Sequence, residues 1–172
     1  METLVSDTKI LEIKKLIGNL GNQSGILRKE ARKELVAKGR YAIDFLSELV
    51  DHPKHLYRWE AVKTLEGIGD PISIPVLIHA LEDDESDVRW IAAEGLIKIG
   101  VQSVKPLLKS LIEKSDSGFL PAGVHHVFHD LKKAGKLPAN FPVDELLSAL
   151  NHPGRVEIVK PLAAKLLNKF EL

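Results

Sequence analysis

The sequence has 172 residues, of which 44% are hydrophobic and none is cysteine, so it can fold around an apolar core and cannot form disulfides or cysteine-ligated zinc sites. Its 24 basic residues balance its 24 acidic residues, but the net charge is +4 over residues 1–40, −7 over residues 41–100 and +3 over residues 101–172. This basic–acidic–basic order argues against a nucleic-acid groove along the whole chain, because such a groove needs clustered positive charge.

The first predicted helix lies near the N-terminus and is followed by a glycine-containing loop at residues 21–25. Its apolar residues recur at helical spacing and are Ile10, Ile13, Ile17 and Leu20. We expect this helix to cap the fold over about residues 8–20. Residues 1–7 lack the basic and apolar regions of a signal peptide, and no apolar run reaches the roughly 18 residues of a membrane-spanning helix. The sequence therefore predicts a soluble protein of the cytoplasm.

Two copies of one segment follow, thirty-one residues apart. Residues 57–69 (YRWEAVKTLEGIG) return as residues 88–100 (VRWIAAEGLIKIG), with Arg, Trp, Ala, Leu, Ile and the closing Gly in the same places. A period of roughly 20–50 residues is typical of repeat arrays. Each copy predicts a leading helix that ends at glycine in the left-handed conformation, and then a second helix. In the later copy Pro106 marks a late start or a kink of the second helix, whose apolar face is Val101, Val104, Leu107, Leu108 and Leu111.

Weaker copies extend the pattern in both directions. Leu27, Ala31 and Leu35 precede their counterparts by thirty residues, and a fourth copy aligns best with an offset of thirty-two. A loop at residues 135–142, with two prolines and a glycine, interrupts the period. We expect about ten helices and essentially no strand in one domain over residues 1–172. Its repeat units are predicted at about residues 26–50, 55–81, 86–112 and 118–151, with a C-terminal capping helix at about residues 155–170.

Residues 85–100 (ESDVRWIAAEGLIKIG) resemble the bacterial HEAT-like repeat, whose pattern is Asp-Val-Arg-Arg-x-Ala-Ala-x-Ala-Leu-x-x-Ile-Gly, of the kind found in phycocyanobilin-lyase-like proteins. The resemblance implies an all-α fold, a right-handed α-solenoid of antiparallel helix pairs. It implies little chemistry, because the repeat is a scaffold whose members do unrelated jobs. In that family a pair like Asp87 and Arg89 bridges neighbouring repeats. Here the preceding repeat has His55 or Leu56 where the acid would fall, so this series of bridges is expected to be incomplete.

Trp90 is predicted almost opposite the apolar stripe of its helix, and Trp59 is its equivalent one repeat earlier. In the fourth copy His125 and His129 fall on the same face. Stacked repeats would align these side chains along one ridge, which could bind a partner because Trp is common among binding anchors. The alternative is that both Trp side chains pack between leading helices, as large aromatic side chains mostly do.

His125 and His129 are also candidate metal ligands. Their i,i+4 spacing places both imidazoles on one helix face. A third strong ligand on that face is missing, and the chain has neither a His-Glu-x-x-His motif nor the His-Glu dipeptides of the HEAT-like deoxyhypusine hydroxylases. The alternative is that these histidines lie at the surface or between helices without a metal.

Two charged clusters have simple explanations. The acidic run at residues 82–87 is consistent with a solvated turn that caps a helix, and the alternative is a basic partner. A basic cluster of Arg28, Lys29, Arg32 and Lys33 lies on a leading helix, whereas HEAT-like DNA glycosylases bind duplex on a basic concave face. Glu30 and Glu34 are interleaved with this cluster, so a solvated face with salt bridges along one helix is expected instead.

No nucleophile constellation, Gly-x-Ser-x-Gly motif or phosphate-binding glycine loop is present, so nothing argues for an enzyme and no cofactor is expected. We predict a non-catalytic scaffold that binds another protein, either through a concave face built from the second helices or through the ridge of Trp59, Trp90 and the histidines. The alternative function, suggested by the family resemblance and the histidines, is the handling of a tetrapyrrole or a metal.

Overall fold

The computed structural model describes residues 7–169, and within this range the chain is helical without any strand. The predictions for residues 1–6 and 170–172, including Phe170 at the end of the last capping helix, lie outside the described residues. None of the described helices is long and apolar enough to cross a membrane. The helices are α1 Asp7–Asn19, α2 Gly25–Lys38, α3 Ile43–Ser47, α4 His55–Ile68, α5 Ile74–Ala80, α6 Ser86–Ile99, α7 Val104–Glu113, α8 Leu120–Lys133, α9 Val143–Asn151 and α10 Arg155–Lys169.

The helices form two layers, as an α-solenoid requires. The leading helices α2, α4, α6 and α8 pack side by side in chain order, and α1 packs on α2. The second helices α3, α5 and α7 pack against the leading helix that follows each of them. At the C-terminal end α10 packs against α7, and α9 lies against both α8 and α10. The predicted all-α solenoid is thus confirmed.

Equivalent positions of the leading helices build the core. Leu35, Leu65, Leu96 and Phe128, which follow one another at intervals of thirty to thirty-two residues, are all fully buried. A residue that recurs at one repeat length therefore meets the same environment in each unit, because each leading helix packs on the one before it. These positions fix the register of the array.

Short 3-10 turns join the two helices in the first three repeats and correct two details of the prediction. Gly39–Ala42, Pro71–Ser73 and Gly100–Ser103 form these turns directly before α3, α5 and α7. Val101, predicted in the apolar face, lies in a turn and is 43% exposed, while α7 starts late, at Val104. Gly69 is left-handed at φ 65° and ψ 25°, as predicted, but Gly100 has φ 87° and ψ −141°, a region that only glycine adopts readily.

Candidate functional site

Three arginines at equivalent positions tie the leading helices to the loops before them. Arg28, Arg58 and Arg89 each use Nη1 to donate hydrogen bonds to the carbonyls five and six residues earlier. The accepting residues are Asn22 and Gln23, His52 and Pro53, and Asp83 and Asp84. The resemblance implies that an Asp–Arg pair like Asp87 and Arg89 bridges neighbouring repeats, but Arg89 Nη1 bonds to the loop of its own repeat.

Asp83 and Asp87 each contact the preceding repeat. Arg58 holds the carboxylate of Asp83 through two hydrogen bonds of 2.7 and 3.1 Å, and His55 Nε2 lies 3.0 Å from Asp87 Oδ1. Burial alone would raise the pKa of Asp83, but the hydrogen bonds from Arg58 and from the Glu85 amide outweigh burial, so this pKa lies below its usual value. Part of the acidic run therefore connects two repeats. His55 occupies the position where an acid was expected, and it contacts Asp87.

Only the two arginines of the basic cluster on α2 are drawn into the packing between repeats, whereas its two lysines are exposed. The carboxylate of Glu60 on α4 is 1% exposed and accepts hydrogen bonds from Arg28 Nε at 2.9 Å and from Arg32 Nη1 at 2.5 Å. The expectation that Glu30 and Glu34 pair with these arginines is wrong. The partner lies one repeat away, where the two leading helices pack together.

The two tryptophans have different surroundings. Trp59 is half-buried against the core, and the Arg32 guanidinium lies 5.5 Å from the centroid of its ring. Trp90 is 58% exposed, and its ring lies 4.3 Å from that of His126 on α8. The contacts of Trp59 therefore run back to α2, and those of Trp90 run forward to α8. Trp59 therefore packs against the protein, whereas Trp90 is mostly exposed to solvent.

Trp90 forms one wall of a small groove between α6 and α8, here called the Trp90 groove. Its volume is about 250 Å³, and its lining includes Arg89, Trp90, Ala93, Phe119, Ala122 and His126. Phe119 is 44% exposed and lies under the guanidinium of Arg89, whose Cζ is 4.2 Å from the ring centroid. Arg89 is itself held by loop carbonyls, so it supports the ring of Phe119 in the same groove that Trp90 lines. The groove thus presents two exposed aromatic rings, one of which is held in place by Arg89.

His125 and His129 lie side by side on α8. The rings of His125 and His129 are nearly parallel with centroids 6.3 Å apart. His125 Nε2 lies 2.9 Å from the side-chain amide of Asn151, and His129 Nδ1 lies 2.9 Å from Asp130 Oδ1. Burial, and then the nearby imidazoles of His129 and His126, hold the pKa of His125 below its usual value. Each ring of the pair therefore already has a different polar partner.

A second cluster lies beside this pair, and its member Glu94 was not predicted from the sequence. Glu94, His126 and Asp130 each offer a ligand atom, and these atoms lie within 4.8 Å of one another. Glu94 comes from α6, so no motif on α8 could reveal it. The available signal was the offset of thirty-two residues, which places Glu94 and His126 at equivalent positions of adjacent repeats.

Comparison with known proteins supports the repeat assignment. The family described as HEAT repeats matches residues 13–96 and 43–122, which together cover more than half of the chain. No curated protein matches the sequence.

Proposed function

Because the chain belongs to the HEAT-repeat family, we propose that it is a non-catalytic, cytoplasmic protein-interaction module whose docking surface is the Trp90 groove. HEAT repeats generally serve as scaffolds for protein interactions, since solenoids present extended surfaces. The observation that carries this proposal is that Trp90 is exposed in the same groove as Phe119, whose ring is held by Arg89. Exposed aromatic side chains clustered in one place mark binding surfaces more often than isolated apolar residues do.

The surroundings of the groove indicate the chemistry of the partner. Asp84 and Glu85 are exposed in the loop that leads into α6, and Glu94 lies on the same helix beyond Trp90. Acidic side chains near the groove in the sequence favour a partner with basic residues, because complementary charge speeds encounter and excludes like-charged competitors, although Arg89 adds one cation to the lining. We therefore propose a partner segment with one apolar or aromatic anchor flanked by Lys or Arg.

The test uses a random peptide library displayed on phage and selected on the wild-type protein. Enriched peptides should carry an apolar anchor with basic flanks, and their affinity should fall at least tenfold for Trp90→Ala. Leu11→Ala is the matched control, because Leu11 on α1 is also a large exposed hydrophobic residue, at 70%. It should leave the affinity unchanged. Peptides that bind Trp90→Ala and wild type with equal affinity would show that the docking surface lies elsewhere. If no peptide is enriched, the proposal of a docking surface is contradicted.

The same variant separates docking from packing. Trp90→Ala should lower the free energy of unfolding by only about 1–2 kcal/mol, because more than half of the side chain is already in water. A buried Trp would cost roughly 3–5 kcal/mol on truncation. A large loss of stability in urea denaturation would show that Trp90 is mainly a packing residue.

The second candidate function is the handling of a metal or tetrapyrrole, of the phycocyanobilin-lyase type that residues 85–100 resemble. The metal part of this proposal is favoured by one observation, the cluster of Glu94, His126 and Asp130. No contact of the described residues favours the tetrapyrrole part. Binding through the concave face of α3, α5 and α7 stays an alternative for the protein-interaction proposal.

A further inference from the structure

We propose that Glu94, His126 and Asp130 form a binding site for a divalent first-row transition-metal ion. The ligand atoms come from two packed helices: Glu94 from α6, and His126 with Asp130 from adjacent turns of α8. All three side chains are partly buried, and their ligand atoms lie within 4.8 Å of one another. The site faces the seam between two leading helices, with solvent on its open side.

The spacing is close to what one ion requires. Metal–ligand bonds of about 2.1 Å place neighbouring ligand atoms roughly 3.0–3.4 Å apart at octahedral to tetrahedral angles. His126 Nε2 and Glu94 Oε1 are 2.9 Å apart, so this pair must open slightly, and the carboxylate of Asp130 must close in. The largest closure this requires is about 1.4 Å, from 4.8 Å to roughly 3.4 Å.

The donor set selects the class of ion. Two carboxylates and one neutral imidazole supply a charge of about −2, which balances a divalent cation. The imidazole favours Zn²⁺, Co²⁺, Fe²⁺ or Ni²⁺ over Mg²⁺ and Ca²⁺, which prefer oxygen ligands only. Three protein ligands leave at least one position for water, as in open zinc sites.

Neighbouring side chains hold two of the ligands in place. The ring of Trp90 lies against that of His126, with centroids 4.3 Å apart, and restricts its rotation. Asp130 Oδ1 lies 2.9 Å from His129 Nδ1, which leaves its second carboxylate oxygen for the ion. Such outer contacts orient metal ligands and strengthen binding. His129 thus has a supporting place here, whereas the sequence-predicted site used it as a ligand together with His125.

The test is titration of the full-length protein with Zn²⁺ and Co²⁺, followed by calorimetry and by the visible absorption of bound Co²⁺. We expect one ion per chain and a higher melting temperature with Zn²⁺, because the ion binds only the folded state. Mg²⁺ and Ca²⁺ should give neither effect. Glu94→Gln and Asp130→Asn should each weaken Zn²⁺ binding at least tenfold, and His126→Ala should abolish it. The metal-free variants are first shown to keep the helical circular dichroism of wild type.

His125→Ala is the matched control, because His125 lies on the same helix and is not one of the three ligands. It should bind Zn²⁺ like wild type. Three results would overturn the proposal: no Zn²⁺ or Co²⁺ binding at millimolar concentration, binding that survives Glu94→Gln and Asp130→Asn, or binding that His125→Ala removes. The last result would move the ion to the pair of His125 and His129. None of these outcomes depends on the Trp90 groove binding a partner.

Discussion

Glu60 offers the sharpest test of how neighbouring repeats are joined. Its carboxylate is almost fully buried and accepts hydrogen bonds from Arg28 and Arg32, whose side chains are 23% and 22% exposed. Breaking a fully buried ion pair costs roughly 3–5 kcal/mol, because an uncompensated charge is left behind. Here the two arginines reach water in part, and Arg28 keeps its bonds to the carbonyls of Asn22 and Gln23. We therefore expect Glu60→Ala to lower the free energy of unfolding by about 2–3 kcal/mol.

The assay is urea denaturation followed by circular dichroism, with a double-mutant cycle of Glu60→Ala and Arg32→Ala. The two changes should be less costly together than the sum of the single changes by about 1–2 kcal/mol, because the residues are in contact. Glu30→Ala is the control, since Glu30 is an exposed acid on the helix that carries both arginines. It should stay within about 0.5 kcal/mol of wild type. Equal effects of Glu60→Ala and Glu30→Ala would refute the assignment of a buried joint.

Two further predictions concern the core and the acid sensitivity of the fold. Leu65→Ala and Leu96→Ala should each cost roughly 2–5 kcal/mol in denaturation, because both side chains are fully buried. Val101→Ala should cost well under 1 kcal/mol, since its side chain is largely in solvent, and similar losses in all three variants would contradict the register. For Asp83, a folded-state pKa below the usual value means that its stabilising effect is present above about pH 4 and is lost as pH falls through the folded pKa. Asp83→Asn should therefore melt earlier than wild type at pH 7, with the difference shrinking below about pH 4, and a constant difference down to pH 2 would contradict this account.

The sequence was sufficient for the parts of the fold that depend on one helix at a time. Apolar residues at helical spacing identify Leu65 and Leu96 as core positions, because the same stripe that makes a helix amphipathic must be buried. The repeat length then supplies the stacking order without any long-range information. Local spacing also marked the exposed turn residue Val101 as apolar face, since it cannot show that a 3-10 turn delays the start of α7.

The polar contacts between repeats could not be predicted by the same reasoning. Reasoning within one helix offered Glu30 and Glu34 as salt-bridge partners for the basic cluster, but Arg32 pairs with Glu60, twenty-eight residues later. Glu94 and His126 are thirty-two residues apart and meet for the same reason. In an array, the neighbour of a residue is the residue one repeat away, so charged pairs should be sought at the repeat offset as well as within a helix.

The contact regions between adjacent leading helices, here called seams, have the same helix packing along the array. We infer that this packing serves stability near the N-terminus and binding near the C-terminus. At the seam of α2 and α4, Glu60 is 1% exposed and fully engaged by two arginines, so it has no capacity for a further ligand. At the seam of α6 and α8, Glu94 and His126 are paired but are 41% and 23% exposed. The second pair is open to solvent, so an ion can reach it and keep part of its own hydration shell when it binds. Trp90 lies at this same seam, so both proposed sites fall where the paired side chains are more exposed than Glu60 is at the seam of α2 and α4.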